Sequence, residues 1–141
     1  MKDKKMYTLG EEIFNSVSHG VGAALAVAAL VILIVRAVLH SDGYGLASAL
    51  VYGISLIVLY SMSMVYHIVQ NDTGKYVLRK FDHCSIYLLI AGTYTPYLLM
   101  SLRGPKGWVM FGLIWGAAVG GIILNSINVD KFRKISMVFY L

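Results

Sequence analysis

Charge disappears from this chain for long stretches at a time. Positions 13–35, 43–71, 84–102 and 107–129 contain no Asp, Glu, Lys or Arg, and a fifth such stretch occupies 135–141. Each of the four long runs supplies the roughly 20 apolar residues that a helix needs to cross a bilayer. The apolar positions fill whole helical turns instead of one stripe, as expected of helices bounded by lipid and by one another. They do not alternate with polar residues as barrel strands do. The pattern predicts an all-α polytopic transmembrane bundle forming a single domain over 1–141. Its spans are expected at about 15–39, 44–69, 82–101 and 107–128, with the start of a fifth at 135–141, so the chain reads as the front part of a longer one.

Between the spans lie a polar start at 1–12, turns at 40–43 and 103–106, and polar loops at 70–81 and 130–134. The loop at 70–81 carries Asp72, Lys75, Arg79 and Lys80. The first apolar run is too long for a cleaved signal peptide and reads as an uncleaved insertion signal.

Composition supports this picture. Charged residues make up 13% of the chain, against about 25% in a typical soluble domain. The net charge of +5 does not point to nucleic acid. The polar start and the loops at 70–81 and 130–134 together hold nine of the twelve Lys and Arg, and the remaining three (Arg36, Arg103, Lys106) flank the other two turns. Basic residues mark cytoplasmic loops, so the N-terminus is expected in the cytoplasm and the protein in the inner (plasma) membrane. The single cysteine, Cys84, excludes an intrachain disulfide.

Small residues spaced by four, Gly112, Gly116 and Gly120 on span four and Gly20, Ala24 and Ala28 on span one, predict seams of close helix approach. These are read first as packing within the bundle and second as a homo-oligomer contact. Tyr44, Tyr76, Tyr97 and Trp108 suit the membrane–water interfaces.

Ionisable groups inside spans are costly and mark function by default. Here they are His19, His67, Asp82 and His83, joined by Ser63, which lies one turn before His67. On the expected topology all approach the cytoplasmic leaflet. Each also has a plainer reading. Asp82 can N-cap span three. His83 can be a neutral interfacial residue, His19 can bond a backbone group, and Ser63 can bond back to the carbonyl of Leu59. His40 falls in the outer turn and is expected to be solvated. Imidazole is a good zinc ligand and a carboxylate can orient a water on the metal. One histidine and one aspartate are too few for a site by themselves. No HExxH, GxSxG, P-loop or GxGxxG occurs.

Three stretches carry a resemblance: EEIFNSVSHG at 11–20, SMVYH at 63–67 and FDHCSIYLLIAGTYTP at 81–96. They resemble the hemolysin III family, the bacterial branch of the progestin and adipoQ receptor superfamily, over essentially the whole chain. The resemblance implies a seven-helix membrane protein with its N-terminus inside and a buried zinc near the cytoplasmic side. His67 would be a direct zinc ligand, Asp82 would act through water on the metal, and Ser63 belongs to the serine–histidine motif of the second helix. The remaining histidines of that family lie in an HxxxH motif on a last helix absent from this chain, so this chain by itself is expected to hold zinc poorly. His19 and His83 belong to the family pattern without an assigned role.

Three functions follow as expectations. The first is a zinc-dependent hydrolase acting on lipid amides, with Asp82 and Ser63 as catalytic residues and His67 on the metal. The second is a pore-forming cytolysin, against which the spans offer no polar face for a soluble state. The third is a non-catalytic, receptor-like membrane component. Membrane lipid is the expected partner in each, and nucleic acid in none.

Overall fold

The computed structural model describes residues 7–127 and 131, and the regular structure among them is entirely helical. The expected stub at 135–141 and the loop at 130–134, apart from Lys131, lie outside the described residues.

Helix α1 spans Leu9–His40 and begins well before the predicted 15. A capping box sets its start. Thr8 Oγ1 accepts from the Glu11 amide at 3.3 Å, and the Thr8 amide donates back to Glu11 Oε2 at 2.6 Å. Two otherwise orphaned amides are satisfied in this way, so Glu11 and Glu12 become first-turn residues where acidic side chains favour the helix dipole. Helix α2 spans Gly43–Ile68. Asp42 caps it, accepting from the amides of Tyr44 at 3.1 Å and Gly45 at 3.2 Å.

Helix α3 spans Asp72–Pro96, which corrects the expected polar loop at 70–81. Its cap is Asn71, which accepts from the Thr73 amide at 3.2 Å. Asp82 therefore sits in mid-helix, ten positions beyond the first helical residue, and does not cap the span. The charged residues 72–80 form amphipathic opening turns because a helix tolerates polar side chains wherever one face can reach water.

After Pro96, which has no amide hydrogen to give, the chain makes one π-helical turn over Tyr97–Ser101. Gly104, at φ 114°, then reverses the chain, a conformation open to glycine without steric cost. Pro105 opens helix α4, Pro105–Ile127, at the position where its fixed φ suits a helix start.

Of the four helices, α1, α2 and α4 are long and apolar enough to cross a membrane by length and composition. Helix α3, with its charged opening turns, does not meet that measure, which narrows the expectation of four complete spans.

Consecutive helices pack side by side, α1 on α2, α2 on α3 and α3 on α4. The inner face of α1 is Glu12, His19, Ala26 and Ala37. Of the seam predicted there, Gly20 approaches Met64, while Ala24 and Ala28 face outward. The close approach runs instead through Gly22, against the ring of Tyr60. On α4 the correction is larger. Gly112, Gly116 and Gly120 meet nothing among the described residues, and the packed face carries Ala118 and Gly121 against Tyr87. A spacing of four recurs on several faces of a glycine-rich helix, and the bulky partner decides which one is used. Lys80 reaches across from α3 to the Ser126 carbonyl at 2.9 Å, satisfying a group at the open end of α4. Large apolar side chains such as Phe14, Leu25 and Leu113 point outward, as lipid-facing residues do.

Candidate functional site

The start of α1, the end of α2 and the start of α3 meet at one end of the bundle. There Glu12 is buried, although no hydrophobic pattern marks it for burial. Its Oε2 stands 2.6 Å from His67 Nδ1, and its Oε1 accepts from the ammonium of Lys75. Lys75 also donates to the Val69 carbonyl at 3.4 Å and lies 5.0 Å above the ring of Tyr66. A buried carboxylate without such partners costs several kcal/mol. The network therefore accounts for how Glu12 sits inside.

Aromatic rings enclose the imidazole of His67. Tyr66 lies at 4.8 Å between centroids, Tyr7 at 5.5 Å and His19 at 5.8 Å, all edge-on. His19 in turn packs edge-on against Tyr60 at 5.9 Å. Its Nδ1 is buried and makes no hydrogen bond among the described residues. Ser63 is buried one turn before His67. Asp82 is half-buried, and both it and His67 stand within electrostatic range of His19. The backbone carbonyl of Asp82 accepts from Ser85 Oγ at 2.6 Å, and its carboxylate is 4.0 Å from His83 Nδ1.

Of the residues singled out from the sequence, His19 and His67 are thus brought into ring contact. Glu12 and Lys75 were missed. Both fall in the segments that the hydropathy pattern leaves polar, at 1–12 and 70–81. One signal was available: Glu12 and His19 are seven apart, two helical turns on one face.

Among the described residues no three His, Cys, Asp or Glu side chains are grouped to hold a metal ion. What is present fits one ligand of such a site. A metal-binding histidine almost always gives its other ring hydrogen to a carboxylate or carbonyl. A hydrogen on Nδ1, donated to Glu12, would leave the lone pair of Nε2 to His67.

At the opposite end of the bundle, Arg103 pairs with Asp42 and stacks over Tyr44 at 4.7 Å. The guanidinium, followed by the Gly45 amide, holds the Asp42 carboxyl below the usual carboxylate range. Tyr44 and Trp108 meet edge-on at 6.4 Å, an aromatic pairing suited to the interfacial position expected of both.

These features define an integral membrane protein of apolar helices with a buried histidine–carboxylate cluster at one end. The chain belongs to the hemolysin III family: the family model described as Haemolysin-III related matches residues 7–141. It is 44% identical to Hemolysin-3 of Bacillus cereus over 131 residues, covering 93% of this chain and 60% of that protein. It is 38% identical to the Hemolysin-3 homolog of Bacillus subtilis (strain 168) over 136 residues, covering 96% of this chain and 64% of the relative. The human monocyte to macrophage differentiation factor is 33% identical over 110 residues, 73% of this chain and 45% of that protein. The chain thus spans less than two thirds of the length of these relatives. No solved structure matches it significantly.

Proposed function

We propose that this chain forms part of a zinc-dependent membrane hydrolase acting on lipid amides. The observation that carries the reading is the polar cluster at one end of the bundle, with His67 Nδ1 2.6 Å from Glu12 Oε2, which leaves Nε2 as the ring nitrogen that would face a metal. His67 would bind zinc, Asp82 would orient water, and Ser63 would hydrogen-bond locally. Zinc, when bound, supplies Lewis acidity and an activated water near neutral pH. The chain's own residues exclude bulk water by burial and fix the imidazole. Further metal ligands would come from outside the residues described, in a seven-helix fold for which the greater length of the relatives leaves room.

The proposed setting is the plasma membrane with the cluster facing the cytoplasm, on the basic-residue asymmetry. The test is zinc content and turnover of a ceramide-like amide by the intact protein and by His67→Ala. Bound zinc and turnover that both vanish in the variant support the reading. Turnover without zinc, or in the variant, overturns it.

A second reading, membrane permeabilisation, takes its support from the name of the Bacillus cereus relative. Dye leakage from liposomes by the wild-type protein and by His67→Ala alike would favour it. Lipid binding without turnover or leakage would favour a receptor-like role.

A further inference from the structure

We infer that Glu12 is the positioning residue of His67, accepting a hydrogen bond from Nδ1–H so that only Nε2 keeps a lone pair for a ligand. The inference rests on the reading of His67 as a metal ligand and adds a residue to that site.

Three observations converge on it. The 2.6 Å contact joins positions 55 apart in sequence, and both side chains are 7% exposed, so water does not compete for either group. Lys75 occupies the other oxygen, Oε1, which leaves Oε2 to the histidine. Tyr66, Tyr7 and His19 pack edge-on around the imidazole and restrict its rotation, so the tautomer also fixes where Nε2 points. His19, the other imidazole in the cluster, has no carboxylate on its buried Nδ1 and is not fixed in this way.

A purely stabilising role explains the arrangement less well. Replacing a buried ion pair by apolar groups is often neutral or stabilising, so stability alone gives little reason to bury Glu12 and reach for it with Lys75. Setting the tautomer of a ligand requires a hydrogen-bond acceptor at this position, and a carboxylate is a strong one.

The experiment uses the intact protein, with ring-15N-labelled histidine and zinc affinity measured by chelator competition. Wild-type His67 is expected as the Nδ1–H tautomer in the zinc-free protein. Glu12→Met removes the acceptor while leaving Lys75, 23% exposed, free to reach water. It is expected to give a mixture of tautomers and zinc binding about 10–100-fold weaker, the range for losing an outer-shell partner. Glu12→Gln keeps an amide oxygen as acceptor and is expected to recover part of both.

An Nε2–H tautomer in the wild type overturns the inference, even if no variant folds. So does Glu12→Met with unchanged tautomer and affinity when His67→Ala abolishes binding. If His67→Ala binds zinc as the wild type does, the metal reading fails, and the ring-nitrogen spectrum still decides whether Glu12 sets the tautomer.

Discussion

Glu12, in the opening turns of the first helix, and His67, in the last turn of the second, share a hydrogen bond of 2.6 Å. The bond closes the hairpin of α1 and α2 at the end away from its connecting turn. It also ties the only strongly buried carboxylate in α1 to a histidine at the end of an otherwise apolar span.

Lys75→Ala is expected to destabilise the protein more than Glu12→Met. Removing the ammonium leaves a carboxylate buried beside a histidine alone, a loss on the scale of about 3–5 kcal/mol. Removing the carboxylate leaves a lysine able to reach water and one unpartnered imidazole N–H, about 1–3 kcal/mol. Denaturation in detergent with a Glu12/Lys75 double-mutant cycle checks the order, and the double variant should lose less than the sum.

Gly107→Ala is expected to destabilise, and Gly116→Ala to be neutral or slightly stabilising. A Cβ at 107 would stand 2.2 Å from the Leu102 carbonyl oxygen and 2.5 Å from that of Leu98, backbone atoms that cannot move aside cheaply. Overpacking of this kind costs about 1–3 kcal/mol. At 116 a Cβ meets nothing among the described residues. Thermal unfolding of the two variants in detergent distinguishes them.

Acid should weaken the contact between Asp42, which caps α2, and Arg103 in the turn before α4. Its folded-state carboxyl is held below its ordinary value by Arg103. The stabilisation is therefore present above the unfolded-state value and lost as pH falls through the lower, folded-state one. Arg103→Gln should lower stability slightly at neutral pH and leave it unchanged in acid, so that the acid limb of a stability-versus-pH curve flattens, and the effect should be small because the pair is exposed and screened.

Topology follows from the basic-residue asymmetry. On a Cys84→Ser background, a cysteine at Ser41 should react with an impermeant reagent in intact cells, and one at the exposed Tyr76 should react only after permeabilisation. The reverse pattern would invert the proposed orientation.

The 141-residue chain by itself is expected to hold zinc well below one ion per molecule, because a catalytic zinc site takes three protein ligands and the described residues group no three. Elemental analysis beside His67→Ala measures it. A full equivalent that the substitution removes would mean that other side chains of this chain complete the site.

Much of the fold was legible because the bilayer constrains it so tightly. Runs of about 20 uncharged residues marked where α2 lies and where α4 begins. The limits failed where caps outweigh hydropathy. Thr8 with Glu11, and Asn71 with the Thr73 amide, carry α1 and α3 beyond their apolar runs into charged sequence. The same error hid Glu12 and Lys75, whose place in the cluster depends on those added turns.

What the sequence determined by itself was the all-helical membrane class, the family, and the candidacy of His67, since a histidine in a long apolar helix needs a reason to be there. What only the tertiary structure decided was which partners it has. Glu12 lies 55 positions from His67, and no local pattern encodes a distance across two helices. The same holds for the working face of α4, where Gly121 rather than the Gly112–Gly116–Gly120 ridge receives Tyr87. Helical periodicity marks which residues share a face, but the side chains of the neighbouring helix determine which face is buried.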